Sequence, residues 1–276
     1  MVRYFTMAFL AACALFPLYW AILLSIKQPL DFFGAALVPF LTFPPTLASW
    51  QDELMYFVDE YGRLSLGRSL FTSTVVCVSS AALALVLGAP AGYALAARGR
   101  HPARAAALVL FLLPRFVLPV ATIIPLFLAF RIVNLLDTHV GLVLVNCNLV
   151  LPFVVLLLRD AFRGVPAEVL EAASIDGCSA IASLWRVSLP LVAPTLLAAG
   201  VLACALSWNE FLFGLVLGGP NTPTLPVAVA ALDTKDGIQL EYTGSHLVLA
   251  ALPPVVLMLG IQRFLPRALT FGSVAR

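Results

Sequence analysis

Residue types that carry catalysis are sparse in this chain, and none of them falls in a catalytic or metal-binding spacing. The five cysteines and three histidines are scattered, without a C-x-x-C pair or an H-E-x-x-H motif. A G-x-S-x-G motif is absent, and so is a G-x-x-x-x-G-K-[ST] phosphate-binding loop, because Gln28 and Asp236 follow the two lysines. The sequence therefore predicts a chain that is not an enzyme and binds no cofactor or metal itself.

Polar residues inside apolar runs are the first candidates for a site with noncovalent chemistry. They are Arg115, Asn146, Asn148, Asn209 and Glu210. A charge within a membrane is costly, so such a residue usually faces a cavity or a partner. We predict a solute pathway for them, with Arg115 able to contact an anionic group. The alternatives stay open: Pro114 and Pro119 break the helix and Arg115 snorkels or pairs with a neighbour, and the others form helix–helix hydrogen bonds.

The second candidate site is an amphipathic segment at about 160–190, which is too short in its helical pieces to cross a membrane. Gly164-Val165-Pro166 predicts a helix start, since proline suits a first turn. Asp176-Gly177 predicts its end, because glycine readily adopts the left-handed conformation of a helix C-terminus. Ser179 is expected to cap a second short helix. The pattern is typical of a helix–turn–helix lying on a membrane face.

Composition shows which elements must position these residues. Of the 276 residues, 62% are hydrophobic and 11% are charged, whereas soluble domains are about one-quarter charged. Several uncharged runs reach the roughly 20 residues that a membrane-spanning helix needs. We predict an all-α membrane protein with one transmembrane domain over residues 1–276. The predicted spans lie near 4–26, 69–97, 105–130, 139–159, 187–217 and 246–264, the first being a retained helix and not a cleaved signal.

The arginines and lysines of the loops predict the orientation of the six spans. One side collects ten of them: Arg3, Arg98, Arg100, Arg104, Arg159, Arg163, Arg186, Arg263, Arg267 and Arg276. The other side has five on longer loops: Lys27, Arg63, Arg68, Arg131 and Lys235. Cytoplasmic loops are rich in Lys and Arg, so both termini and the 160–190 segment are predicted to be cytoplasmic.

The 160–190 segment resembles a known motif. Glu171-Ala172-Ala173, three residues, Gly177, nine residues and Val187-Ser188-Leu189-Pro190 are similar to the EAA loop (E-A-A, x3, G, x9, I-x-L-P) of binding-protein-dependent ABC importer permeases, with Val for Ile. Trp208-Asn209-Glu210-Phe211, Phe43-Pro44-Pro45 and the tail Leu269–Val274 resemble the carbohydrate-type permeases, in the manner of the second maltose-transporter permease subunit. The resemblance covers nearly the whole chain.

This resemblance implies a type I importer permease in a bacterial inner membrane, forming half of a pathway for a sugar or sugar-like solute. Its implied partners are a dimer of ATP-binding cassette ATPases, a second permease chain and a periplasmic substrate-binding protein. The ATPases would use the ATP and receive the coupling residues Glu171, Ala172, Ala173, Asp176 and Gly177. The substrate, the residues that contact it and the identity of the second permease stay open. An ion-gradient-driven secondary transporter is the alternative, although Glu210 is its only obvious carboxylate and no internal repeat is visible.

Overall fold

The computed structural model describes residues 2–28, 38–55, 66–97, 102–231, 233–234, 237–238 and 240–262. In these ranges the helices and their connecting turns are joined by only two short antiparallel strands, β1 (Asp233–Thr234) and β2 (Gly237–Ile238). The first seven helices are α1 (Val2–Ser25), α2 (Ala48–Met55), α3 (Leu66–Ala96), α4 (Pro102–Phe116), α5 (Pro119–Ile132), α6 (His139–Arg163) and α7 (Ala167–Ile175). The later helices are α8 (Ala180–Ser183), α9 (Leu189–Leu191), α10 (Ala193–Trp208), α11 (Leu212–Leu217), α12 (Leu225–Ala230) and α13 (Leu240–Ile261), with a π-helical turn at Leu184–Ser188.

Four helices in the described ranges are long and apolar enough to cross a membrane: Arg3–Ser25, Leu66–Ala96, His139–Arg163 and Thr243–Gly260. A fifth span is possible if Ala180–Leu191 and Ala193–Trp208 count together, although their axes are bent by 82°. Each long helix satisfies its own backbone hydrogen bonds, which lipid cannot do. The all-helical, multi-pass membrane fold expected from composition is confirmed at this level.

The span predicted near 105–130 is two separate helices, α4 and α5, so the alternative in which prolines break it is confirmed at Pro119. Leu118 has an extended conformation (φ −61°, ψ 130°) directly before Pro119, which is the first residue of α5. Proline disfavours a helical conformation in the residue before it and suits the first turn of a new helix. The two helices have 15 and 14 residues, about 21–23 Å each, so neither alone matches a bilayer core of about 30 Å.

The expected helix at 187–217 is also interrupted. Val192 leaves helical geometry (φ −97°, ψ 10°) between α9 and α10, and Pro194 lies in the first turn of α10. At the other end α10 stops at Trp208, and α11 begins only at Leu212. Sequence hydropathy could not detect the break at Val192, because apolar residues run on through it, whereas the second break falls at the polar pair Asn209-Glu210.

The chain forms two compact units, Met1–Ser73 with Thr222–Val255 and Thr74–Asn221 with Val256–Arg276. In the first unit the start of α13 lies directly against the end of α1, because a Cβ atom at Gly244 would collide with the backbone of Leu24 and Ser25. The hydroxyl of Ser73 accepts a hydrogen bond from the backbone N–H of Leu225 at 2.8 Å. The first contact joins α1 to α13, and the second joins α3 to α12.

In the second unit, α6 is the central helix. Val150, Val154, Leu158 and Phe162 are buried and spaced four residues apart, so they form one stripe that packs with small residues of α10. Gly88 and Gly92 of α3 lie close to α6. A Cβ atom at Gly88 would lie 2.8 Å from Val154 Cγ1, and one at Gly92 would lie 3.0 Å from the backbone nitrogen of Arg159. The spacing of Gly88 and Gly92, four residues apart on α3, thus serves helix packing.

Candidate functional site

The predicted coupling residues lie on the short helix α7, between α6 and α10, and on the turn that follows it. Helix α7 begins at Ala167, one residue after the expected Pro166, which has non-helical geometry at the N-cap. Glu168 lies in the first turn, where a carboxylate is favoured by the helix dipole. Glu171 and Ala172 are exposed, whereas Ala173 is buried. Of the two alanines, only Ala172 therefore contributes to the outer surface, and Ala173 packs inward.

The turn after α7 has the geometry that the sequence indicated. Asp176 ends the helix, and Gly177 has a φ of +81°, which is the left-handed region. The backbone N–H of Cys178 then donates to the carbonyl of Ala173 at 2.9 Å. Only glycine takes this conformation without steric cost, so Gly177 fixes the turn and leaves Asp176 exposed beside it.

The second piece begins at a serine cap and ends in an irregular turn. The hydroxyl of Ser179 accepts a hydrogen bond from the N–H of Ala182 at 3.3 Å, as expected for an N-cap. After α8 the backbone widens into the π-helical turn Leu184–Ser188. Turns of this kind contain an extra residue and occur frequently at functional sites.

The outer surface of this helix–turn–helix combines charge with apolar side chains. Ile175 is 87% exposed, Ile181 72% and Trp185 58%, and all three lie on the segment that carries Glu171. An exposed cluster of large apolar side chains bordered by charged residues is typical of a protein–protein or membrane contact. The segment therefore has the surface of an interface.

Three of the predicted pathway residues have hydrogen-bond partners within the chain. Asn146 of α6 is buried and hydrogen-bonded to Ser207 of α10. Asn209 ends α10, with its amide donating to the Ala205 carbonyl at 2.8 Å. The carboxylate of Glu210 accepts from the N–H groups of Phe213 and Gly214 at 2.9 and 3.1 Å, so it caps α11. These bonds stabilise the break between α10 and α11.

The side chain of Arg115 lies outside the described residues, as do Arg98, Arg100, Arg263, Arg267 and Arg276 from the orientation argument and the tail Leu269–Val274. The remaining asparagine of the candidate set, Asn148, has a clear position. It is exposed and lies two residues beyond Asn146, on the opposite side of α6. The structure thus distinguishes the buried Asn146 from the exposed Asn148, which the sequence alone could not do.

Asn148 lines a cavity of about 530 Å³ between α5, α6 and α11. The other lining side chains are mostly apolar, including Leu126, Phe130 and Phe213. Thr122 adds a hydroxyl to the amide of Asn148. The Thr122 hydroxyl donates to the Pro119 carbonyl at 2.9 Å, which places it beside the break between α4 and α5. A largely apolar cavity with a few polar groups is the usual form of a small-solute site.

The family model described as the binding-protein-dependent transport system inner membrane component matches residues 69–271. This chain belongs to that family. The match includes α7, the turn at Gly177 and the helices on both sides of it. The permease is therefore an ABC transporter subunit and a multi-pass inner-membrane protein, and the secondary-transporter alternative is not favoured.

Curated relatives and a solved structure agree with this assignment. The permease is 32% identical over 276 residues to the sulfoquinovosyl glycerol transport system permease protein of Agrobacterium fabrum, covering 99% of this chain and 93% of that protein. It is 31% identical to the arabinooligosaccharides transport system permease protein of Halalkalibacterium halodurans, covering 97% and 93%. A crystal structure of a bacterial ABC transporter that imports the acidic polysaccharide alginate has a chain with the same fold, with a TM-score of 0.73, 22% identity and coverage of 95% and 94%.

One polar contact of the permease was not anticipated from sequence. The carboxylate of Asp137, in the loop between α5 and α6, accepts from the backbone N–H of Asn221 at 3.1 Å and from its side-chain amide at 2.8 Å. The N–H of Asp137 in turn donates to the Leu217 carbonyl at 2.9 Å. We call this contact the Asp137–Asn221 clasp. Glycine and proline in the run Gly218-Gly219-Pro220-Asn221 are typical of a turn, but the partner of Asn221 lies 84 residues earlier in the chain.

Proposed function

We propose that the permease is one of two permease subunits of an ATP-driven importer, with six membrane spans and both termini in the cytoplasm. Four long helices and the bent pair supply five spans, and α4 with α5 supplies the sixth as a broken helix. Six crossings agree with the excess of arginines on the loops assigned to the cytoplasm. The whole chain then acts as one transmembrane domain.

In this proposal residues 167–191, which we call the coupling segment, dock into a cleft of a cytoplasmic ATPase. The exposed surface of Glu171, Ile175 and Ile181 is the observation that carries the proposal, because exposed apolar groups beside a charge are typical of a protein interface. Glu171 and Asp176 offer charges to basic groups of the ATPase, and Gly177 fixes the turn that presents them. The ATPase, which forms a dimer, binds and hydrolyses the ATP, and this chain binds no cofactor.

The solute is a sugar or a sugar-like compound delivered by a periplasmic binding protein. This class is supported by the relatives, which are named for sulfoquinovosyl glycerol and for arabinooligosaccharides. The cavity beside Asn148 and Thr122 is the described region best suited to lie along its path, since both groups can bond to hydroxyls. Arg115 remains a proposed contact for an anionic solute. Asn146, Asn209 and Glu210 support the pathway by holding its helices.

Purification of the tagged permease from its native membrane tests the assignment. We expect an ATPase with a phosphate-binding loop, a second permease and a binding protein to co-purify, identified by mass spectrometry. The binding protein can then be screened by thermal shift against matched neutral and anionic sugars. Recovery of the permease without any ATPase, in several mild detergents, would contradict the proposal.

A further inference from the structure

Tyr93 joins three elements at the inner end of α3. Its ring packs edge-on against Phe162 near the end of α6, with centroids 5.4 Å apart and planes at 82°. Its hydroxyl donates a hydrogen bond to the hydroxyl of Ser183 at 3.2 Å. Ser183 is buried and is the last residue of α8, directly before the π-helical turn. A residue of α3 thus contacts the coupling segment from 90 positions away in the chain.

The coupling segment is also connected through its own chain ends and through a hydrophobic core that its Leu184 shares with residues of α3 and α6. Its first end follows α6 through Gly164-Val165-Pro166, and its second end enters α10 through the bend at Val192. Tyr93 adds a contact to α3, which is not adjacent to the segment in sequence. A displacement of the segment can therefore reach α3 directly as well as α6 and α10.

The helix that receives this contact is well suited to move as a rigid body. Gly88 and Gly92 let α3 approach α6 so closely that added Cβ atoms would lie within 3.0 Å of α6 atoms. Tyr93 is the next residue after Gly92, so its ring leaves α3 where the two helices are in tight contact. Close packing of this kind transmits displacement because interiors are nearly incompressible.

We propose that Tyr93 is a positioning residue that transmits movement of the coupling segment to α3 through its hydrogen bond to Ser183. This inference rests on the proposed docking of that segment on an ATPase. The edge-on packing of the Tyr93 ring against Phe162 holds Tyr93 in place, and its hydroxyl makes the contact that transmits the movement. The two parts can be separated, because Tyr93→Phe keeps the ring and removes only the hydrogen bond.

Hydrogen exchange in the intact transporter tests the proposal without knowledge of the solute. The complex of permease, second permease and ATPase is placed in nanodiscs, and exchange is followed by mass spectrometry with and without ATP and orthovanadate. In the wild type we expect nucleotide to change exchange at residues 167–177 and at 88–97. In Tyr93→Phe the change at 167–177 should remain, and the change at 88–97 should fall about fivefold, the usual equilibrium effect of one hydrogen bond.

Two further variants control for a loss of packing. Ser183→Ala should reproduce Tyr93→Phe, and the double variant should lose no more than either single one, since both remove the same bond. Ser80→Ala removes another hydrogen bond of α3, from Ser80 to the Val143 carbonyl of α6 at 3.1 Å, and should leave the nucleotide response intact.

The outcomes are distinct. An equal nucleotide response at 88–97 in wild type and Tyr93→Phe would overturn the role of Tyr93, as would a rise in exchange there that is the same with and without nucleotide. A wild-type complex in which 167–177 itself does not respond would contradict the docking, and with it the proposed function.

Discussion

The hydroxyl of Ser207 donates a hydrogen bond to the side-chain oxygen of Asn146 at 3.0 Å, linking α10 to α6. The amide nitrogen of Asn146 donates to the Leu142 carbonyl at 2.9 Å, so both polar atoms of this buried amide have partners within the chain. Such pairs stabilise helix packing in membranes. The contact favours a structural role for Asn146 over direct contact with the solute.

We expect Asn146→Ala to lower the free energy of unfolding in detergent by about 1–2 kcal/mol, because the Ser207 hydroxyl loses its acceptor. Thermal unfolding of the purified permease measures this effect. Ser207→Ala should have a similar cost, and the double variant should be less destabilised than the sum. A variant of unchanged stability that lost uptake of one solute but not of another would instead place Asn146 in the pathway.

Glu171→Ala should weaken retention of the ATPase by roughly tenfold, since hydrogen bonds to charged groups are the stronger ones. The amount of ATPase that co-purifies at increasing salt concentration measures this change. Glu168→Ala is the matched control, because Glu168 is exposed on the same helix one turn earlier. Equal loss in both variants would show that general negative charge, and not the position of Glu171, is what matters.

Substitutions at Gly177 test the turn. An added Cβ atom would meet no heavy atom within 4 Å, so the cost of Gly177→Val arises only from the positive φ, about 1–2 kcal/mol. Gly177→Asn should be tolerated better, because asparagine adopts this conformation more readily. ATPase co-purification should follow the order Gly, Asn, Val. An equal loss for Asn and Val would indicate that the glycine surface itself contacts the ATPase.

Sequence reasoning succeeded where the signal is local. The Gly177 turn and the Ser179 cap each depend on the conformational preference of one residue and its immediate neighbours, and both were predicted correctly. The bounds of α1, α3 and α6 also follow from apolar runs that end at turn residues. Hydropathy works for these helices because the bilayer imposes a minimum length.

Features that depend on tertiary contacts were not predictable. Pro119 was noticed, yet whether it kinks or breaks a helix depends on what packs around it, and here it separates α4 from α5. Asn146 and Asn148 look alike in sequence, and only the packing of α6 places one against Ser207 and the other at a cavity. The π-helical turn after Ser183 has no simple composition signal.

The Asp137–Asn221 clasp predicts a specific requirement for glycine at position 219. A Cβ atom there would lie 2.7 Å from the carboxyl carbon of Asp137, so Gly219→Ala should displace that carboxylate and loosen residues 218–221. Hydrogen exchange of this loop measures the effect. Asp137→Gly suits the φ of +53° at that position and removes the collision, so the double variant should behave like Asp137→Gly alone. Additive loosening would indicate that Gly219 acts through another contact.

Lys27, at the end of α1, gives a prediction for the first unit. Its side chain is 2% exposed, and its ammonium lies 5.6 Å from the ring centroid of Trp20 and 5.5 Å from that of Phe43. The Phe43-Pro44-Pro45 run noticed in the sequence thus supplies one wall of an aromatic site for a cation. The N–H of Thr46 donates to the Ile26 carbonyl at 2.9 Å, so this segment is fixed to α1 by two kinds of contact.

We expect Lys27→Met to lower the free energy of unfolding by about 0.5–2 kcal/mol, because it keeps the apolar stem and removes the attraction between the cation and the rings. Lys27→Arg should retain most of the stability, since a guanidinium also binds aromatic faces. Phe43→Leu should cost less in a Lys27→Met background than in the wild type, because the partner cation is already gone. Thermal unfolding of the wild type and these four variants measures the effect. A gain in stability for Lys27→Met would mean that the free-energy cost of removing the ammonium from water exceeds its attraction to the two aromatic rings.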